Sequence, residues 1–312
     1  MEKIERNTNR SIIALNITFI IIIIVLVFAI FRVYSKLEVE VKLNSEYEEK
    51  IEEKKESYSV INNNKIELEE KFNNLENIDS MTDSVKDEVF KLALELENKI
   101  IKKETDYKIA YLTFDDGPYY STNDFLKVLK ENDVKATFFT IGLNKERCYD
   151  NQLKECHSLY KKIVLDGHTI ANHTYSHQIF NGLYSSSTSF INQVVKQEEF
   201  IKEKTGVITN IVRFPGGAST AGNLKNDIIQ KLREKKYGWV DWSALDGDGG
   251  YLPNIDVAWS NFTKSVNQDI EVVLFHDYSR ITLSILPDAI KYLKDNNYIL
   301  LPLFYESNMI NK

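Results

Sequence analysis

The chain has 312 residues, of which 43% are hydrophobic and 27% charged, with a formal net charge of −7 and two cysteines. That length could hold two average domains, and a net negative chain with no basic stripe argues against a nucleic-acid partner. Composition shifts so sharply along the sequence that three regions have to be read separately.

After a short tail, residues 1–10, an almost unbroken apolar run extends from Ser11 to Phe31. At about 1.5 Å per residue it reaches roughly 30 Å, the thickness of a hydrocarbon core. A cleavable secretory signal would want a shorter core and a small-residue cleavage site, and Ala29-Ile30-Phe31-Arg32 offers none. Residues 11–31 are therefore expected to be a retained single-pass anchor. Bases stand on both sides (Lys3, Arg6 and Arg10 before; Arg32, Lys36 and Lys42 after), so the positive-inside rule is nearly silent. A short tail ahead of one span makes a cytoplasmic N-terminus the simpler topology, with the remainder outside the cell membrane.

Residues 32–105 are rich in Glu, Lys and Asn. From Lys36 to Glu104 there are 12 Lys and 19 Asp or Glu, and no Gly or Pro. This excess of acids equals the net charge of the whole chain, so the acidity belongs to this stretch. It is expected to be a charged helical stalk, able to pair two chains if it forms a coiled coil, although its apolar spacing holds no single heptad register.

From residue 106 to 312 short apolar runs alternate with amphipathic segments. Lys108–Phe114, Ala136–Ile141, His168–Ala171, Ile208–Phe214, Gly238–Ser243, Glu271–Phe275 and Tyr298–Leu303 are expected as strands. Asp124–Glu131, Thr188–Thr205, Leu224–Lys235 and Leu286–Asn296 are expected as helices. Strands alternating with helices give an α/β domain with a parallel sheet, and seven strands in about 200 residues favour a (β/α) barrel. Cys148 and Cys156 are spaced neither as a zinc knuckle nor as a pair that demands a disulfide, and their pairing stays open.

Polar clusters that no core requires fall at the strand ends: Asp115-Asp116-Gly117-Pro118, Asn172-His173-Thr174-Tyr175-Ser176-His177, Arg213-Phe214-Pro215-Gly216-Gly217, Asp246-Gly247-Asp248 and His276-Asp277. In an α/β barrel the C-terminal strand ends converge on one face, where active sites are built. On a helical turn His173 and His177 would share a face and could reach one metal ion. Taken singly they could be surface histidines. Asp115 and Asp116 could divide two roles, one on a metal and one acting on water, or could simply cap a turn. Two histidines and an aspartate with open positions suit catalytic zinc or a similar divalent ion. Tyr119, Tyr120, Tyr175, Trp242 and Trp259 could stack on sugar rings or serve as packing.

Thr113-Phe114-Asp115-Asp116-Gly117, His173-Thr174-Tyr175-Ser176-His177, Arg213-Phe214-Pro215-Gly216-Gly217 and Leu274-Phe275-His276 occur in the order found in polysaccharide deacetylases. Residues 106–303 thus resemble carbohydrate esterase family 4, also called the NodB homology domain. The resemblance implies a distorted seven-stranded barrel with Asp116, His173 and His177 holding one divalent metal, zinc first and cobalt or manganese as alternatives. It implies Asp115 as the base that takes a proton from water, Arg213 as its tether and Gly216 as the source of an oxyanion-binding N–H. It implies His276 as the acid that protonates the departing amine. The expected reaction is removal of N-acetyl groups from an extracellular glycan, with peptidoglycan N-acetylglucosamine preferred because anchor and stalk would suspend the domain in the wall. Exopolysaccharide, chitin oligomers or acetylated xylan are the alternatives, and a non-catalytic glycan-binding barrel is the reading from another class. One motif departs from the family pattern. Leu245 stands where the acid after the strand tryptophan is expected, leaving Asp241, Asp246 and Asp248 as candidates.

Overall fold

The computed structural model describes residues 83–142 and 153–312. The tail, the apolar run and the stalk up to residue 82 lie outside them, and no helix among the described residues is long and apolar enough to cross a membrane.

The strands are β1 (Lys108–Asp115), β2 (Thr137–Thr140), β3 (Thr169–Asn172), β4 (Ile211–Val212), β5 (Gly238–Trp239), β6 (Ala244–Leu245), β7 (Ile270–His276) and β8 (Tyr298–Leu300). All pair in parallel, in the order β5-β4-β3-β2-β1-β7-β6. A flat sheet in that order would put its outer strands about 29 Å apart. Trp239 and Ala244, however, are joined by so few residues that they can be no more than about 18 Å apart. The sheet must curl toward itself, which gives a half-barrel. β1 pairs with β7 along its length, so β2 and β8 share its other edge: β8 takes Lys108–Ala110 and β2 takes Thr113–Asp115. The strand sequence 238–243 stops early, and β6, a separate two-residue strand, was not expected.

Around the strands lie α1 (Asp83–Ile101), α2 (Thr122–Glu131), α3 (Leu153–Leu165), α4 (Ser187–Thr205), α5 (Lys225–Glu234), α6 (Ile255–Ser265) and α7 (Arg280–Asp295). α3 and α6 were not anticipated, and α7 starts earlier than expected, carrying Pro287 in its interior. Its first turn is set by Ser279, whose side chain accepts from the Thr282 N–H.

Period-2 alternation sorts the strand residues into two cores. Ala110, Leu112, Phe114, Phe138, Ile170, Val273 and Phe275 point outward and pack with Phe125, Tyr160, Phe262 and Leu286 from the helices. Ile109, Tyr111, Phe139, Ala171, Ile211 and Val272 point inward. The inner group also contains Val89, Ala93 and Ile100 of α1 and Leu301, Leu303 and Phe304 of the C-terminal segment. Helix α1 thus falls within the segment read as stalk, yet its apolar side is part of the barrel core. Glu97 on that side is buried, accepting from the Tyr111 hydroxyl, from Ser307 Oγ and from the Asn308 N–H at 2.7 Å. Cys156, buried on α3, is disulfide-bonded; the one other cysteine, Cys148, lies outside the described residues.

Candidate active site

The inner rows of four strands continue past their last apolar residues into polar ones. Ile109 and Tyr111 lead to Thr113 and Asp115, Ala171 leads to His173, Ile211 to Arg213, and Val272 to His276. Strand alternation alone therefore aims these side chains into the mouth of the half-barrel. Asp116 would point the other way, but its backbone is left-handed (φ 75°), an uncommon state for a residue with a side chain. Its N–H donates to Phe139 O at 3.1 Å, and its carboxylate joins the inner set.

His173 and His177 are not on a helical turn as anticipated. β3 ends at Asn172, whose Oδ1 accepts from the Thr174 N–H at 3.0 Å, and the next residues form a loop with Thr174 (φ 67°) and His177 (φ 52°) both left-handed. The loop still brings the rings to 4.9 Å between centroids. His177 Nε2 lies 3.1 Å and His173 Nε2 3.6 Å from Asp116 Oδ1, and one ligand atom from each of the three residues can be chosen so that all lie within 4.8 Å of one another. Donors on a tetrahedral zinc stand about 3.3 Å apart, so the set suits such an ion. Arg213 O can only accept, so the 2.9 Å contact fixes His173 Nδ1 as the protonated nitrogen and leaves the Nε2 lone pair facing Asp116. Burial, against the pull of Asp116, pushes His173 down to about 4 and favours the neutral ring that can bind metal.

Asp115 is buried, and one oxygen accepts from Arg213 Nη1 at 2.9 Å. Burial raises its pKa, while Arg213 and then His276 oppose the rise. Arg213 is itself fully buried and has each of its nitrogens engaged: Nη1 also donates to Thr113 Oγ1 at 2.7 Å, Nε to Val240 O at 3.2 Å and Nη2 to Asp241 O at 3.0 Å. The guanidinium lies 4.1 Å from the centre of the Phe139 ring. Each partner fixes the plane in which it meets Asp115.

On the neighbouring strand β7, where His276 is the register partner of Asp115, His276 Nδ1 is 2.6 Å from Asp248 Oδ1, and the His276 N–H donates to Asp248 Oδ2 at 2.8 Å. Burial would lower the His276 pKa, but the hydrogen bond and charge of Asp248, joined by Asp116 and Asp115, outweigh it and raise the value to about 9. A side chain on Gly249 would begin 2.8 Å from His276 Cε1, so close approach requires glycine there. Of the three candidate acids, then, Asp248 meets His276. The Asp241 carboxylate accepts from the Ala218 N–H and meets Arg213 only through its backbone carbonyl, whereas Asp246 lies behind Asp248.

Gly216 is exposed at a tight turn and left-handed (φ 75°). The Gly217 N–H donates to Phe214 O at 2.8 Å and Thr220 Oγ1 to Gly216 O at 2.7 Å, which pins the turn beside the mouth. Of the aromatics singled out, Trp259 packs on Phe262 and Tyr292, and Tyr175 packs on Phe200. Tyr119 and Tyr120 stand together, and Tyr119 meets Tyr278, whose ring is 5.1 Å from His276. Tyr278 was not singled out in the sequence; its place directly after His276-Asp277 was the one available signal.

The sequence pattern of the polysaccharide deacetylases matches residues 102–237. A peptidoglycan-N-acetylglucosamine deacetylase of Bacillus cereus is 31% identical over 197 residues, covering 61% of this chain and 67% of its own. A chitin deacetylase of Colletotrichum lindemuthianum is 28% identical over 61% of this chain and 75% of its own. Among solved structures, the catalytic domain of a peptidoglycan N-acetylglucosamine deacetylase from Eubacterium rectale superposes with a TM-score of 0.59 at 28% identity, covering 66% of this chain and 93% of that one. With four motif-bearing strand ends gathered at one mouth and relatives of this kind, the chain belongs to the polysaccharide deacetylase family.

Proposed function

We propose that the chain is a metal-dependent enzyme that hydrolyses the N-acetyl groups of peptidoglycan N-acetylglucosamine, working outside the cell membrane from the apolar run at residues 11–31. The observation that carries the reading is the pair of constellations gathered at one mouth: Asp115 on Arg213 beside Asp116, His173 and His177, with His276 on Asp248 at the end of the adjacent strand. The peptidoglycan preference rests on the Bacillus cereus and Eubacterium rectale relatives, and the location rests on the sequence of the run.

Asp116, His173 and His177 would hold one divalent ion, zinc first, which when bound supplies Lewis-acid polarisation of the acetyl carbonyl and of the attacking water. Asp115, ionised and fixed by Arg213, takes the proton from that water as its oxygen adds to the carbonyl carbon. The Gly216 N–H faces the negative oxygen that develops. His276 carries its proton on Nε2, because Asp248 holds Nδ1, and passes it to the sugar nitrogen as the C–N bond breaks. The products are acetate and a free amino sugar.

The test is acetate release by the full-length chain from purified peptidoglycan, poly-N-acetylglucosamine, chitin oligomers and acetylxylan, with and without chelator. Release from peptidoglycan that stops with chelator and returns with zinc, cobalt or manganese is the expected result. Activity confined to chitin oligomers would transfer the substrate assignment to them, as the Colletotrichum relative would favour. No release from any of the four would leave a glycan-binding barrel.

A further inference from the structure

We propose that Asp246 is a positioning residue held as the neutral acid, whose carboxyl proton, relayed as a hydrogen bond through Thr282, fixes the Asp248 carboxylate that orients His276. Thr282 Oγ1, in the first turn of α7, lies 2.7 Å from Asp246 Oδ2 and 2.6 Å from Asp248 Oδ2. A hydroxyl carries a single proton. It can donate to one of these oxygens, and the other contact needs a hydrogen from the carboxyl side. Otherwise two carboxylates would share one hydrogen where water does not reach, since Asp246 and Thr282 are fully buried and Asp248 nearly so.

The neighbours decide which acid keeps the proton. Both oxygens of Asp248 are already taken as acceptors by His276, one at the ring and one at the backbone N–H, whereas Asp246 Oδ2 meets only Thr282. The Asp246 carboxyl receives one backbone N–H, from Asp248 at 3.1 Å. The groups that face it are Asp248 on its own loop, Thr282 on α7 and Asn261 on α6, whose Nδ2 donates to the Asp246 backbone carbonyl at 3.0 Å. Burial first, then the charge of Asp248, hold its carboxyl well above the usual carboxylate range. The relay is then Asp246 Oδ2–H to Thr282 Oγ1, and Thr282 Oγ1–H to Asp248 Oδ2. Thr282 cannot drift from it, because its own N–H is tied to Ser279 Oγ at 3.2 Å.

The proton is tested directly by infrared difference spectroscopy of the full-length chain at neutral pH, wild type against Asp246→Asn. The expected difference is loss of the carbonyl stretch of a protonated carboxylic acid; loss of carboxylate bands instead would overturn the proposal. The positioning role rests on the deacetylase reading and is tested by kinetics on peptidoglycan. Asp246→Ala should lower kcat about tenfold with KM within about twofold, and Asp246→Asn, whose amide can donate to Thr282, should recover most of that loss. An Asn variant as impaired as Ala, or an unimpaired Ala variant, refutes it. If Asp246→Ala does not fold, Thr282→Ser and Thr282→Val replace it: Ser should retain activity and Val lose it, and equal behaviour of the two counts against the relay. If the wild-type chain releases no acetate, the deacetylase reading fails while the infrared result still decides where the proton lies.

Discussion

At the scale of single residues, the two constellations at the mouth make separable predictions. Asp115 is the group placed to take a proton and, although its Oδ2 lies 3.6 Å from His173 Nε2, it is not one of the three donors that gather, so Asp115→Asn should cut kcat by about 10²–10⁴-fold while zinc still binds in equimolar amount by metal analysis. Loss of both together would mean that Asp115 is itself a ligand. His276, in turn, works only while protonated. Its pKa is raised from the ordinary 6.5 to about 9, chiefly by Asp248 working against burial, so the acid form persists through neutral pH and activity should fall as pH climbs through about 9. Asp248→Asn removes the main raising partner, so the alkaline limb of the kcat profile should move toward lower pH. An unmoved limb would show that another group sets it. Asp115, His173, Arg213 and His276 were legible because each continues an inner strand row, where alternation fixes direction. Asp248 was not, because it follows Gly247 (φ 90°) in a loop, and there no two-residue period tells where a carboxylate points.

At the scale of the element, α1 shows what composition hides. Val89, Ala93, Glu97 and Ile100 are spaced i, i+4, i+8 and i+11, a helical stripe in which one core position carries an acid. Among so many charges that acid made the stripe look like part of a solvated stalk. Buried and ringed by Tyr111, Ser307 and Asn308, it joins α1, β1 and the C-terminal segment at three points. Glu97→Ala would leave two buried donors, the Tyr111 and Ser307 hydroxyls, without this acceptor, at about 1–3 kcal/mol for each one stranded, while the Asn308 N–H, on an exposed residue, can turn to water. The expected outcome is a loss of at least about 2 kcal/mol in urea unfolding, with Glu97→Gln losing less because its carbonyl can still accept. A chain cut to begin at Asp106 should be less stable than one that begins ahead of Asp83. Equal urea midpoints for the two would mean that α1 is only laid against the barrel. Length is not what separates the helices read in outline from the two that were missed: α3 and α6 have 13 and 11 residues, against 10 each for α2 and α5.

At the scale of the whole molecule, the parallel α/β plan was legible from the alternation of runs, but the closure of the sheet was not. Curling follows from β6 lying next to β7 while its sequence neighbour β5 lies at the opposite edge, and a two-residue strand leaves almost no periodic trace. The same topology makes metal binding a property of the folded chain alone. Asp116 leaves β1, and His173 and His177 leave β3, with β2 between them, so the three donors meet only when three strands are in register. An ion that binds the folded state and not the unfolded one stabilises by mass action, about 2.7 kcal/mol at a hundredfold excess over Kd. Zinc should therefore raise the unfolding temperature of the wild-type chain, chelator should reverse the rise, and His177→Ala should abolish it. His177 is the donor to remove because its ring is partly exposed and lies on a loop beyond β3, so its loss leaves the buried inner row intact. A zinc-dependent rise that survived in His177→Ala would place the ion elsewhere and detach the Lewis acid from the mouth that Asp115 and His276 face.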